Sequence, residues 1–150
     1  MEVEIRIGEL AKGTSRDIET IRYYEKSGLL AEPRRNSSGY HEYATEHLER
    51  LQFIRHCRSL QLSLAEIRIL LDLQANPLSG CQEVDQLLDG HITQVREQMV
   101  ALRTLEQQLV KLRKQCQRPH LVEECGILQN LSEAAEGHDC ACHDEAKVTQ

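Results

Sequence analysis

Leu88, Val95, Leu102 and Leu109 recur every seven residues, and Ile92, Met99, Leu105 and Leu112 stand beside them. That spacing is the apolar seam of a coiled coil. Asn76-Pro77-Leu78-Ser79-Gly80 breaks the pattern upstream, a Ser79-to-Gln82 capping box opens the helix, and Pro119 stops it after Cys116. A single helix over 79–116 carries a long apolar stripe that it cannot bury on itself, so it needs a partner helix. The chain is therefore expected to be mainly α and to associate.

The residues before this helix read as a separate unit, 1–75. Ile7, Leu10 and Ala11 support a short helix to about Gly13, and Thr14 and Ser15 make a turn. A second helix follows, with Ser15 as N-cap, Asp17 in the first turn, Ile18, Ile21 and Leu29 as apolar contacts and Gly28 at C′. Two short helices across a tight turn make a helix-turn-helix candidate. The polar run Arg34 to Gly39, leading into Tyr40-His41-Glu42-Tyr43, suits a small hairpin, or wing. Thr45 is placed to cap an amphipathic helix with Leu48, Leu51, Phe53 and Ile54, and Ser63 and Glu66 form a capping box before Ile67, Leu70 and Leu71. Cys57 reads as a packing residue.

The net charge of −6 argues at first against a nucleic-acid partner, but it is unevenly spread. Residues 1–75 hold eleven Lys and Arg against twelve Asp and Glu, and Arg16, Arg22, Arg34 and Arg35 cluster there; most of the negative charge lies beyond. No stretch approaches the roughly 18 apolar residues of a membrane span, and no secretion signal is visible, so a cytoplasmic location with reduced thiols is expected.

Six cysteines then need a role. Cys81 falls in the first turn of the long helix, where a helix N-terminus favours a metal-binding thiolate. Cys116 lies at its far end, roughly 50 Å away at helical rise, so the two cannot share an ion within one chain. Antiparallel pairing of two such helices in a homodimer brings Cys81 of one protomer toward Cys116 and Cys125 of its partner and creates two equivalent three-thiolate sites. Sulfur-only donors select soft ions: Pb(II), Cd(II), Hg(II) or Zn(II). His120 in the intervening loop is a weaker candidate. A metal-binding loop and short helix are expected over 117–132, and a flexible tail over 133–150 in which His138, Cys140, Cys142 and His143 form a second candidate metal site.

Taken together, Ile7-Gly8-Glu9-Leu10-Ala11, Glu19-Thr20-Ile21-Arg22-Tyr23-Tyr24-Glu25, Gly28-Leu29-Leu30, Arg50 to Arg55, and the Cys81, Cys116, Cys125 triad followed by Gly126-Ile127-Leu128-Gln129 resemble the MerR family of bacterial regulators, in particular its Cd(II)/Pb(II)-responsive branch. The resemblance spans almost the whole chain. It implies a winged helix-turn-helix domain joined to an antiparallel coiled-coil dimerisation helix. It also implies a regulator that represses or is silent when apo, and that when metal-loaded distorts promoter double-stranded DNA so that RNA polymerase engages at a heavy-metal resistance or efflux operon. On matching positions, Arg22 and Tyr23 contact phosphates, Thr20 and Arg16 face the major groove, and Tyr40 belongs to the wing. The family wing reads Gly-Tyr-Arg-x-Tyr; His41 replaces that arginine here, which makes its phosphate contact absent or pH-dependent. Tyr24 has an interior position as its alternative.

Two other readings stay open: a mercury-responsive member of the same family, and a cytosolic metal buffer centred on the tail. No enzyme is expected, because none of the three cysteines has a His or an acid in a catalytic arrangement.

Overall fold

The computed structural model describes residues 5–14, 16–119, 121–138 and 140. The elements are α1 (Ile7–Thr14), α2 (Ile18–Lys26), β1 (Arg34–Arg35), β2 (His41–Glu42), α3 (Thr45–Ser59), α4 (Leu64–Gln74), α5 (Gln82–Arg113), a 3-10 turn (Val122–Glu124) and α6 (Gly126–Ala135). They fall into two compact units, Met1–Leu87 and Leu88–Gln150.

In the first unit, Leu10 of α1, Ile21 and Tyr24 of α2, Leu51 and Ile54 of α3 and Ile67 of α4 close one core. Burial of each such side chain contributes about 1.5–3 kcal/mol. Gly13 of α1 lies beside α3, where a Cβ would make ordinary contact with Leu48 Cδ1 at 3.4 Å. Cys57 is buried in this core, which pushes its thiol pKa up. Tyr24 is buried too, so it takes the interior position. Ile18, expected to pack, is exposed at the start of α2.

Two helix caps differ from the sequence expectation. The N-cap of α2 is Asp17, whose Oδ1 accepts the Thr20 N–H at 2.7 Å. A carboxylate two residues beyond Ser15 thus takes the cap, favoured by the positive helix end. Helix α3 begins at Thr45, so Ala44 is the N-cap; with no side-chain acceptor at Ala44, the box is half made, and His47 Nδ1 accepts the Ala44 N–H at 3.0 Å. The Ser63–Glu66 box forms in full, at 2.6 and 3.1 Å.

Gly28 ends α2 as expected. It has φ 76°, its N–H donates to Glu25 O at 3.1 Å, and the Leu29 N–H donates to Tyr24 O at 3.0 Å, the two bonds of a Schellman motif. This turn is held from two other helices: Arg50 Nε of α3 donates to Leu29 O at 2.6 Å, and the Arg68 guanidinium of α4 donates to Ser27 O. The same motif ends α3, but there the left-handed position is held by Gln61, at φ 61°.

The wing is an antiparallel pair with Arg34 opposite Glu42 and Arg35 opposite His41. Asn36 Oδ1 accepts the N–H groups of Ser38 and Tyr40 at 3.0 and 2.9 Å, and Gly39 takes φ 81°. Tyr43 ties the wing to α2: its hydroxyl donates to Glu25 Oε1 at 2.6 Å while its ring is buried.

In the second unit, α5 buries none of its residues, and the heptad positions are open, from Val95 at 38% to Leu102 at 64% exposure. No helix among the described residues is long and apolar enough to cross a membrane.

Candidate metal centre and nucleic-acid interface

The end of α5 turns back on itself. The Cys116 N–H donates to Arg113 O at 3.4 Å, the Arg113 guanidinium donates to Cys116 O at 2.5 Å, and Cys116 Sγ lies 3.7 Å from Arg118 O. Beyond the loop, the 3-10 turn delivers Cys125 to the N-cap of α6, its N–H bonded to Val122 O at 3.1 Å and its carbonyl accepting the Gln129 N–H at 3.0 Å. The loop brings Cys116 and Cys125 near enough for each thiol to shift the ionisation of the other.

The two thiols are inequivalent. The Leu128 N–H, followed by that of Ile127, holds the Cys125 thiol below its ordinary range, as a helix N-terminus does for a thiolate. Desolvation, then the hydrogen bond to Cys125, pushes the Cys116 thiol up, with the Arg113 charge opposing. Cys125 is thus the more readily ionised of the two. Both are soft ligands once deprotonated.

Cys81 is the third cysteine of the expected set. Helix α5 opens at Gln82, so Cys81 lies just before it rather than inside its first turn; its carbonyl accepts the Asp85 N–H at 3.1 Å, and its side chain is exposed. Among the described residues no group of three or more His, Cys, Asp or Glu gathers within the chain. The residues suit a soft metal ion by their donor chemistry, as two juxtaposed thiols with an anion-favouring helix end, but they make an incomplete set in one protomer.

Of the tail residues, His138 is exposed, and its N–H donates to Glu133 O at 2.9 Å. Cys140 is buried and disulfide-bonded. His120, Cys142 and His143 lie outside the described residues.

Of the residues expected at DNA, Arg22 and Tyr40 come together. They line a cleft of about 530 Å³ with Arg6, Ile7, Gly39 and His41. Three side chains of basic type therefore surround a space open to a phosphate backbone, and Tyr40 is 74% exposed. Thr20 and Tyr23 border a neighbouring groove with Glu19 and Arg58. The hydrogen bonding of Thr20 to Asp17, through side chain and backbone, holds that carboxyl below its usual range. Arg16 sits in the turn before α2, its N–H on Ala11 O at 3.1 Å.

Arg6 and Gly126 were missed in the sequence. Arg6 carried a weak signal, a lone basic residue just before α1. Gly126 stood only inside a matched motif, with no local turn to mark it.

The sequence matches the profile described as MerR HTH family regulatory protein over residues 5–74 and the profile described as MerR, DNA binding over residues 48–112. The chain belongs to the MerR family. It resembles the crystal structure of the transcription regulator PbrR691 from Ralstonia metallidurans CH34 in complex with lead(II), at 47% identity and TM-score 0.74, covering 85% of this chain and 98% of that one. It is also similar to the dual function transcriptional regulator MerR from Bacillus megaterium MB1 in complex with mercury(II), at 30% identity and TM-score 0.65, covering 85% and 99%. The transcriptional regulator ZntR of Escherichia coli K12 is 35% identical over 139 residues, 91% of this chain and 99% of that protein. The MerR family consists of transcription regulators and not enzymes, and the largely helical fold with a winged helix-turn-helix domain agrees with the sequence expectation.

Proposed function

We propose that this MerR-family chain works as a homodimer that senses Pb(II) or Cd(II) through Cys116 and Cys125 of one protomer and Cys81 of the other. The observation that carries the reading is the close approach of the Cys116 and Cys125 segments, where the backbone of Gly126 packs against that of Gln115. It supplies two soft donors and leaves the third to Cys81, which flanks the opposite end of a 32-residue helix. The exposed heptad stripe of α5 supplies the surface for antiparallel pairing, the arrangement that brings opposite helix ends together. Cys81, Cys116 and Cys125 would hold the ion as thiolates, and the ion would supply the positive charge that offsets their mutual repulsion.

In this account the dimer sits on promoter DNA, with Arg6, Arg22, Tyr40 and the wing gripping phosphates and the exposed face of α2 reading the major groove. Gathering cysteines from two protomers changes the relation of the two DNA-binding units. The DNA is then distorted so that RNA polymerase engages at a metal-resistance or efflux operon. The lead(II) complex of PbrR691, at 47% identity, supports the choice of ion.

Promoter transcription in vitro, with Pb(II), Cd(II), Hg(II) and Zn(II) titrated separately, tests the reading. Wild type responds to Pb(II) or Cd(II), and Cys81→Ser, Cys116→Ser and Cys125→Ser each abolish the response. Metal induction that survives in all three variants contradicts it. A mercury(II) regulator is the second reading, favoured by the likeness to the Bacillus megaterium MerR, and a response to Hg(II) alone selects it.

A further inference from the structure

We infer that Gly126 is a positioning residue of the thiol pair, an inference that rests on the reading of Cys116 and Cys125 as metal ligands. A Cβ on Gly126 would overlap the backbone oxygen of Gln115, lie 3.3 Å from its carbonyl carbon and 3.6 Å from its Cβ. Gln115 precedes Cys116, and Gly126 follows Cys125, so the two backbones in closest approach are the immediate neighbours of the two sulfurs. The obstacle is main chain, which no rotamer change can relieve.

The need for glycine here is one of space. Gly126 is not among the residues with positive φ, which are Gly28, Gly39, Gly137 and Gln61. At the first position of a helix a residue of ordinary conformation has no other reason to be glycine, which carries a larger entropic cost than alanine. Around Gly8, Gly80 and Gly90, by contrast, an added Cβ meets nothing within 4 Å.

Both sides of the contact are anchored. The Gln115 N–H donates to Leu112 O at 3.1 Å, and Arg113 grips Cys116 O. Opposite them, Asn130 Nδ2 donates to Gly126 O at 2.7 Å, and the Gln129 N–H donates to Cys125 O. A methyl group at position 126 therefore moves the start of α6 as a body and carries Cys125 away from Cys116.

The test uses full-length, reduced protein with Cys140→Ser and Cys142→Ser, comparing Gly126→Ala with Gly90→Ala as control. Dibromobimane, which bridges two thiols only when they are close, is followed by peptide mapping of the Cys116–Cys125 product. Cd(II) is then titrated by thiolate charge-transfer absorption, and DNA binding and helicity are measured in parallel. The expected result is loss of the bridge and an affinity loss of about ten- to a hundredfold, the scale seen when residues supporting a ligand are changed. DNA binding and helicity stay intact, and Gly90→Ala behaves as the parent. A bridge formed at the parental rate overturns the inference. So does loss of DNA binding or helicity along with the bridge, because Gly126 would then be a general structural residue. A lost bridge with an unchanged Cd(II) titration upholds the positioning and overturns the ligand assignment instead.

Discussion

Cys116 and Cys125 shift in opposite directions: Cys125 downward, chiefly under the N–H groups of Leu128 and Ile127, and Cys116 upward by desolvation and the neighbouring Cys125 thiol. Nine residues apart in sequence, they meet because α5 ends in a tight turn and Cys125 caps the following helix. Both thiols must lose their protons to hold a metal ion, and Cys125 loses its proton the more readily.

Alkylation at neutral pH should reveal the asymmetry. With limiting iodoacetamide and peptide mapping by mass spectrometry, Cys125 reacts faster than Cys116, and buried Cys57 reacts last. Replacing Cys116 with Ala removes one of the groups that lower the Cys125 pKa and slows Cys125. Equal rates at Cys116 and Cys125 would count against the opposite shifts.

Phosphate binding by the cleft between α1, α2 and the wing predicts a sequence-independent loss. Arg22→Ala should weaken operator and unrelated DNA by similar factors and reduce the slope of log affinity against log salt by about 1. A loss confined to the operator would move Arg22 from phosphate to base recognition. Competition gel shifts across a salt series make the distinction.

The Asp17 cap carries a pH signature. Its folded pKa lies below the ordinary 3.8, chiefly through the Thr20 side-chain bond, so it stabilises the fold above its unfolded pKa, and that contribution is lost as pH falls through the folded value. Asn caps about as well without titrating. Asp17→Asn should therefore match wild type in Tm at neutral pH and show a shallower fall below about pH 4. Parallel Tm curves would mean that the cap contributes nothing.

Gln61 holds a left-handed backbone, a conformation that costs an L-residue about 1 kcal/mol and glycine almost nothing. Gln61→Gly should raise stability by about 0.5–1 kcal/mol in urea unfolding, without altering DNA affinity. A loss of stability would show that the Gln61 side chain contributes more than its backbone costs.

Much of this was legible in the sequence because it is periodic or local. The heptads of α5, the Ser63–Glu66 box and Gly28 at the end of α2 each declare themselves within a few residues. The caps of α2 and α3 were misplaced by one or two residues, where several polar side chains compete for the same N–H groups. The cysteines were legible as candidate soft ligands. That Cys125 caps α6, and that Gly126 must lack a side chain, depend on a backbone contact across a loop and have no signature in spacing. Arg6 was hidden for the same reason: it joins Arg22 and His41 only once the wing folds back beside α1.

The central claim is that the sensor is assembled from two chains, and mixed dimers test it most directly. Cys81→Ser and Cys116→Ser proteins, each deficient alone, are mixed, allowed to exchange protomers, and titrated with Pb(II) by charge-transfer absorption. Shared sites predict that signal reappears at about a quarter of the wild-type amplitude, since half the dimers are mixed and each mixed dimer contains one intact site. No recovery after exchange, or full binding by Cys81→Ser alone, would contradict the account.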